Sequence, residues 1–450
     1  MAVEHDQSPD LKIWQSRWDS LNVLMGKLAS HYNYSSFSRH AELDRIMACL
    51  QAFAQAHFTL CYTGLTSCQS AGIQHPLEVP QPETKQSPKL FPEGVLGAIL
   101  DQVGYDMEVF QRIADQRGHD TLRQVLDQAD KIAWKYLEPI KDKLETDAWI
   151  RDGPATVMTY FQKSPSIRVI PYAPVALIGM PFTCVPATGS TIVEEECLTI
   201  PHEVGHYVFW RGQVTSSNGE AQKDLITHAL AERLSLDGYP MWIFKWAEEI
   251  FADVYGCLLA GRDITQSCEE IQCARIGKQF IEDDGEHPIP ALRPYVYYQT
   301  LGKMHKLDPA QEENWKVKLK ERGIPSEDAQ QRKFEVRLSD DETNDETKTY
   351  LFDVKQKMSG VVDIVYGLIQ SNSLAQSAEE DVSVPSLNLK QGAEKTLWHT
   401  WLDKHFPGLS IPDDPARMTA GEAKRIDYDT WKSVLKARQW TTKWPNGRWK

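Results

Sequence analysis

The pattern His-Glu-x-x-His at residues 202–206 constrains this chain more than any other feature of its sequence. On a helix, residues four apart share one face, so the rings of His202 and His206 can hold one metal ion. Glu203, about 100° further round the helix, can then face a water molecule on that metal. Apolar residues flank the pattern on both sides: Leu198, Ile200, Tyr207, Val208, Phe209 and Trp210. Because they leave little room for a solvated face, we expect buried histidines that need partners, rather than an ordinary surface helix.

A catalytic zinc site needs a third protein ligand and an open fourth position for water. In one class of zinc enzyme that ligand is a histidine six residues after the second histidine of the pattern, preceded by a glycine at the third residue. This chain has Phe209 and Gly212 at those two positions, so that class is excluded.

A second segment, residues 242–261, offers a better third ligand. It predicts a helix that is apolar nearly all round, and therefore buried, with Gly261 as its C-terminal cap. Glu248, Glu249 and Asp253 interrupt it. Burying ionised carboxylates is costly unless they are paired or bind a metal, so the three of them call for a cation. Glu249 and Asp253 are four apart, which suits one as ligand and the other as acceptor for a histidine N–H.

Residues 249–256 resemble the third-ligand helix of the gluzincins, the thermolysin-like zinc metallopeptidases, whose pattern is E-x-x-[SA]-D followed by an apolar pair and Gly. The resemblance extends over residues 198–261. It implies that His202, His206 and Glu249 are zinc ligands and that Glu203 is the general base. It also implies that Asp253 orients a ligand histidine without binding the zinc itself. The chain departs from thermolysin at Glu248, where that enzyme has Asn.

Other residues compete for the third ligand position. His228 is the main rival, with Glu220 and Glu232 on either side of it, and all three have polar, ordinary surroundings. Cys197 and Cys257 are near the pattern in sequence, so a thiolate ligand is a further alternative.

Residues 166–181 precede the metal helix and are rich in β-branched residues. Prolines at 171, 174 and 181 favour an edge strand, since proline cannot donate to neighbours on both sides. In a zincin an edge strand at this place binds extended peptide by β-augmentation, although a plain core strand fits the sequence equally well.

Residues 282–295 follow the proposed ligands and contain a histidine, an arginine and a tyrosine among turn-forming residues. The tetrahedral intermediate of amide hydrolysis needs a donor besides zinc, and the family resemblance implies a His or Tyr. We expect His287 first, and Tyr295 or Tyr297 second. Arg293 either binds a substrate carboxylate or is a structural ion-pair partner.

The net charge of the chain indicates which classes of binding partner are disfavoured. With 49 Lys and Arg against 63 Asp and Glu, the net charge is −14, which disfavours nucleic acid or an anionic membrane. The N-terminus lacks a signal-peptide pattern, and there is no run of 18 apolar residues. The eight cysteines contain no C-x-x-C pair, so we expect reduced thiols and a cytoplasmic protein.

The expected fold class is α+β and mostly helical, with a zincin-like catalytic core built from a small sheet and an active-site helix. Residues 339–346 predict a solvated acidic loop, with helices near 361–370 and 394–404. The basic, Trp-rich end, 424–450, we expect to anchor on the core, although such a mixture can also stack on single-stranded nucleic acid. The predicted divisions are an N-terminal helical region (1–74), a Pro-rich linker or loop (75–95), a helical region (96–150), the catalytic core (151–305) and a mainly helical C-terminal region (306–450).

The sequence therefore predicts a zinc metallopeptidase that hydrolyses peptide bonds of a peptide or protein substrate by Glu-assisted attack of zinc-bound water. Two alternatives stay open. One is a catalytically inactive zincin-fold binding or scaffold protein, and the other is a zinc hydrolase acting on a non-peptide amide.

Overall fold

The structure, a computed structural model, is mostly helical with a small mixed sheet, which confirms the predicted α+β, mainly helical class. The described residues are 11–77, 92–144, 156–163, 165–185, 195–215, 223–324, 335–339, 346–378, 382–387, 389, 398–403, 406 and 408–436. No helix in these ranges is long and apolar enough to cross a membrane.

The first three long helices are α1 (Lys12–Asn33), α2 (His40–Ser70) and α3 (Pro92–Arg117). Apolar residues at helical spacing bury one face of α1 and a broader face of α2. Trp18 of α1 stacks on Phe58 of α2 at 4.9 Å between ring centres. The later helices are α4 (Asp120–Leu137), α5 (Thr199–Arg211), α6 (Ile226–Leu236), α7 (Met241–Ala260), α8 (Arg262–Cys273), α9 (Pro294–Lys303), α10 (Pro309–Glu321) and α11 (Leu351–Ser371).

Three strands form the largest sheet, in the order β1 (Thr156–Gln162), β3 (Val175–Pro181) and β2 (Ser166–Val169). β1 runs parallel to β3, and β2 runs antiparallel to it. Two shorter pairs are β4 (Gln213–Thr215) with β5 (Lys223–Leu225) and β6 (Glu335–Ser339) with β7 (Glu346–Tyr350).

The prediction of one edge strand over residues 166–181 is correct only for β2. The segment is a hairpin whose second arm, β3, lies in the centre of the sheet. Pro171 and Pro174 fall in the connection and Pro181 is the last residue of β3. Because proline cannot donate to a neighbouring strand, the chain breaks and reverses at the prolines instead of running on as one strand.

The sheet separates two hydrophobic clusters. On β1, Val157 and Phe161 point into one cluster and Met158 and Tyr160 into the other, as the two-residue period of a strand requires. The first cluster contains buried apolar residues of α4 to α11. The second contains those of α1 to α3 together with buried apolar residues from the described parts of the chain between Leu387 and Val434. The predicted metal helix, α5, therefore belongs to the first cluster.

Most predicted helices are present. α1 and α2 lie in the predicted N-terminal helical region, α11 includes 361–370, and 398–403 are helical within the predicted 394–404. The acidic segment falls between β6 and β7, with 340–345 outside the described residues. Trp431 is buried in the second cluster, as predicted, while the other three tryptophans of the tail lie outside the described residues. Residues 78–91 of the predicted linker also lie outside them, and the predicted domain boundaries stay predictions.

Candidate metal centre

α5 carries the two histidines of the pattern. It begins at Thr199, so Pro201 is its third residue, where the missing N–H of proline removes no hydrogen bond within the helix. His202 and His206 lie on one face, with ring centres 4.7 Å apart and ring planes perpendicular. Their Nε2 atoms are 3.1 Å apart, so both point at the same place.

α7 crosses α5 closely because glycine occupies one contact position on each helix. A Cβ added at Gly205 would lie 2.8 Å from Cα of Ala252, and one added at Gly256 would lie 3.2 Å from Cα of His202. No real Cβ tolerates the first of these distances without a shift of the backbone. The glycines therefore allow α7 to bring its carboxylates to the histidines.

Glu249 completes a group of three possible metal ligands. Its Oε2 lies 3.6 Å from Nε2 of His202 and its Oε1 lies 3.7 Å from Nε2 of His206. The ligand atoms of the three residues all lie within 4.8 Å of one another. Tetrahedral bonds of about 2.0–2.1 Å place neighbouring ligand atoms roughly 3.3 Å apart, close to the spacings seen here. The group can hold a metal ion, and its two nitrogens and one oxygen suit zinc.

Asp253 supports His202 from the second layer of the site. Its Oδ1 lies 3.0 Å from Nδ1 of His202, the nitrogen that faces away from the ligand group. Asp253 is fully buried and is itself held by three further contacts. Arg293 donates to its two oxygens from Nε and Nη2, each at 2.8 Å, and the Tyr297 hydroxyl donates at 2.6 Å. The predicted role of Asp253 as the partner of a histidine N–H fits this position.

Glu248 supports the other histidine. Its Oε1 accepts hydrogen bonds from Nδ1 of His206 and from Nε1 of Trp210, both at 2.9 Å. His202, His206 and Trp210 follow one another at intervals of four along α5, so all three face α7. Sequence reasoning left Glu248 and Trp210 without a role. The available signal was the position of Glu248 as a third carboxylate in an almost wholly apolar helix.

The carboxylates around His206 control its charge. Burial lowers the pKa of His206, but Glu249, Glu248 and Glu203 outweigh burial and raise that pKa to about 9. Burial raises the pKa of Glu249, but His206, Arg293 and the other two histidines outweigh it and lower that pKa to about 2. In the absence of a metal the group thus holds a proton in the place where a cation would bind.

Glu203 differs from the other carboxylates of the site in its surroundings. It is 6 % exposed, and within the described residues it makes no hydrogen bond and no salt bridge. Burial raises the pKa of Glu203, the nearby histidines lower it, and the net direction is upward. A buried carboxylate without a partner is costly to ionise, so its presence beside the ligand group calls for a functional explanation.

His287 reaches the same group from a loop. Its Nε2 lies 3.4 Å from Oε1 of Glu249, and its Nδ1 lies 2.8 Å from Oδ2 of Asp284. The second-choice tyrosines are placed elsewhere. Tyr297 donates to Asp253, and the ring of Tyr295 contacts Tyr298 and Lys355 rather than the histidines.

Arg293 is a structural ion-pair partner here, because it binds Glu249 at 2.9 Å as well as Asp253. The rival ligands do not join the group. The side chain of His228 is 62 % exposed and pairs with Asp224, whereas Glu232 is exposed and Glu220 lies outside the described residues. All eight cysteines are thiols, and the group contains none of them.

Comparisons with protein-family models, with curated proteins and with solved structures find no match for this chain. Its function is therefore inferred from the geometry of the site.

Proposed function

We propose that the chain is a zinc metallopeptidase of the gluzincin type, with a zincin-like core, in which His202, His206 and Glu249 hold the metal. The observation that carries the proposal is Glu203, a buried carboxylate without a hydrogen-bond or salt-bridge partner in the described residues, next to a group with ligand spacing. A purely structural ion-pair cluster offers no reason to leave one buried carboxylate beside it without such a partner.

Zinc, when bound, supplies a Lewis acid that lowers the pKa of a coordinated water and polarises the substrate carbonyl. In this proposal Glu203 accepts the proton of the attacking water and returns it to the leaving nitrogen. The raised pKa of this carboxyl suits both steps, because a general base works best when its pKa lies near the working pH.

Asp253 and Glu248 fix the two ligand histidines. Each accepts from, or lies against, the Nδ1 atom and so leaves the Nε2 lone pair for the metal. This is the tautomer that a metal site requires: Glu248 sets it on His206 through a hydrogen bond, and the carboxylate of Asp253 beside Nδ1 favours it on His202.

His287 supplies a donor for the developing oxyanion. Its two ring nitrogens face carboxylates, Asp284 on one side and Glu249 on the other, so Nε2 lies at the edge of the ligand group, where it can serve as the donor. The ring is 32 % exposed, which keeps it within reach of a substrate. Tyr295 and Tyr297 have no such position.

The substrate we propose is a peptide or protein in extended form. β2 is an edge strand of the sheet that packs on α5, so an added strand would lie near the metal helix. The thiol state of the cysteines suits a cytoplasmic protein.

The Glu203→Gln variant tests the role of the general base. Glutamine keeps the size of the side chain but cannot accept the proton, so the variant should bind zinc as the wild type does and lose hydrolysis by at least a factor of about 100. Zinc content by elemental analysis and cleavage of a peptide library are the two measurements. Hydrolysis retained by the variant would refute the role.

Non-peptide amides should be assayed beside the peptides, because both reactions need the same activation of water. Cleavage of the amides alone would replace the peptidase with a hydrolase of another substrate. Stoichiometric zinc with no hydrolysis of either class would instead favour a binding or scaffold protein.

A further inference from the structure

The loop that carries His287, residues 281–290, is attached to α7 at a second point besides His287 itself. The loop is closed where the N–H of Ala291 donates to the carbonyl oxygen of Phe280 at 3.0 Å. Near its start, Nε1 of Trp246 in α7 donates to Oδ1 of Asp283 at 3.0 Å. Trp246 is fully buried and packs edge to face on Trp242, with ring centres 4.8 Å apart. The anchor on α7 is therefore a rigid one.

Two consecutive aspartates connect this anchor to His287 through hydrogen bonds within the loop. Asp283 uses the same Oδ1 to accept the N–H of Gly285 at 2.8 Å. Gly285 has a φ of 79°, a conformation that favours glycine. Asp284 then accepts the N–H groups of Glu286 and His287 with one oxygen and faces Nδ1 of His287 with the other. The ring of His287 is thus fixed through the loop to Asp283.

The spacing along α7 links this anchor to the metal ligand. Trp246 and Glu249 are three residues apart, so they lie on neighbouring positions of one helix surface. One helix therefore supplies the third ligand and also the attachment of the loop, and Nε2 of His287 lies 3.4 Å from that ligand. A shift of α7 would move ligand and donor together.

We propose that Trp246 and Asp283 are positioning residues for His287, which keep its imidazole at the metal centre during catalysis. The proposal rests on the proposed function, in which His287 donates to the substrate oxyanion. It assigns a task in the reaction to two residues that touch neither the ligand group nor the substrate.

The test compares Trp246→Phe with Trp242→Phe in the full-length, zinc-loaded protein. Both variants lose an indole on the same helix, but only the first removes the hydrogen bond to Asp283. We expect Trp246→Phe to lower kcat by about two- to tenfold, the range that one hydrogen bond supports, with KM and zinc content unchanged. Trp242→Phe leaves an aromatic ring packed on Trp246 and should lower kcat by less than Trp246→Phe does.

Two further variants separate positioning from general damage to the fold. Asp283→Asn keeps an oxygen that can accept both hydrogen bonds, so it should retain wild-type kcat, whereas Asp283→Ala should lose as much as Trp246→Phe. In a His287→Ala background, Trp246→Phe should cause no additional loss, because the residue that it positions is already gone.

Amide hydrogen exchange gives a readout that does not depend on activity. In Trp246→Phe the Gly285 and His287 amides should exchange about two- to tenfold faster, while the α7 amides keep their protection. Unchanged exchange in the loop, or an additional loss of kcat in the His287→Ala background, would overturn the proposal. If the wild type cleaves no substrate, the proposed function fails, and the exchange result still decides whether Trp246 holds the loop.

Discussion

The two histidines of the candidate metal centre are supported in very different ways. His202 faces Asp253, whose side chain is 0 % exposed and receives Arg293 and Tyr297 as well. His206 faces Glu248, whose side chain is 25 % exposed and receives only one further contact among the described residues, from Trp210. Asp253, the partner of His202, therefore lies in the core, whereas Glu248, the partner of His206, lies at the edge of the core.

Because of this difference, substitutions in the site can change the stability of the fold and the affinity for the metal separately. Removing a partner from a buried, multiply bonded ion pair leaves an uncompensated charge in the core, so the fold itself suffers. Removing a partner near the surface lets water replace it, so mainly the orientation of the ligand suffers. Substitutions around Asp253 should therefore have larger effects than substitutions around Glu248.

Asp253→Ala should have the largest effect. It leaves the buried Arg293 with Glu249 alone and removes the partner of His202 and Tyr297, so we expect a loss of about 3–5 kcal/mol in the free energy of unfolding. Urea denaturation of the metal-free protein measures this. Tyr297→Phe is the matched control, because it removes a single hydrogen bond from the same carboxylate. Equal losses in both variants would contradict the assignment of the large loss to an uncompensated buried charge.

Glu248→Gln should weaken zinc binding without affecting the fold. The amide oxygen can still accept from His206 or Trp210, but the negative charge that makes the ligand histidine more basic is gone. We expect about a 10- to 100-fold weaker zinc affinity, as for other second-layer partners, and an unchanged free energy of unfolding. Competition with a chelator of known affinity measures the first quantity. A zinc affinity equal to that of the wild type would show that Glu248 does not contribute to zinc binding.

The pH dependence of zinc binding reports on the same side of the site. The pKa of His206 is raised to about 9 in the metal-free protein, so its ring is protonated below that pH and zinc must displace the proton. Zinc affinity should therefore rise by about tenfold per pH unit from pH 7 towards 9 and level off above it.

Calorimetry in buffers of different ionisation enthalpy should show proton release at pH 7 that disappears above pH 9. In Glu248→Gln the pH range over which protons are released should move to lower pH, because the variant lacks one of the carboxylates that raise the pKa of His206. A zinc affinity independent of pH between 7 and 9 would contradict the assignment of His206 as a ligand.

Trp210→Phe should have the smallest effect. The variant loses only the N–H that steadies Glu248, at a partly exposed position, and one hydrogen bond contributes about 0.5–1.5 kcal/mol. We expect zinc affinity to fall by less than about tenfold, and by less than in Glu248→Gln. A larger loss than that of Glu248→Gln would mean that Trp210 acts on the metal centre by another route.

The main members of the site could be predicted from the sequence because the helical period alone places them. His202 and His206 share a face of α5, Glu249 and Asp253 share a face of α7, and charges in an apolar helix must be paired. The apolar flanks also predicted correctly that both helices are buried.

The role of Glu248 could not be predicted, since it depends on how α5 and α7 cross. That crossing is set by the close approach at Gly205 and Gly256, which is a property of packing between distant segments. The choice between two roles for Arg293 depended in the same way on a contact with Asp253 across the fold.

The sheet shows a similar limit. The β-branched residues and prolines of 166–181 predicted an edge strand or a plain core strand, but not that Pro171 and Pro174 mark the turn of a hairpin. Nor could composition reveal that β3, apolar throughout, is central and faces a different cluster on each side. Successive residues of a strand point to opposite faces, and only the pairing register decides which face meets which helix.

Metal analysis of the purified wild type beside Glu249→Ala tests the central claim most directly. Both proteins would be incubated with zinc, freed of excess and measured by elemental analysis, with folding checked by circular dichroism. We predict one zinc per wild-type chain and a large loss of zinc in the variant. A folded wild type without zinc, or a variant that retains a full equivalent, would contradict the account.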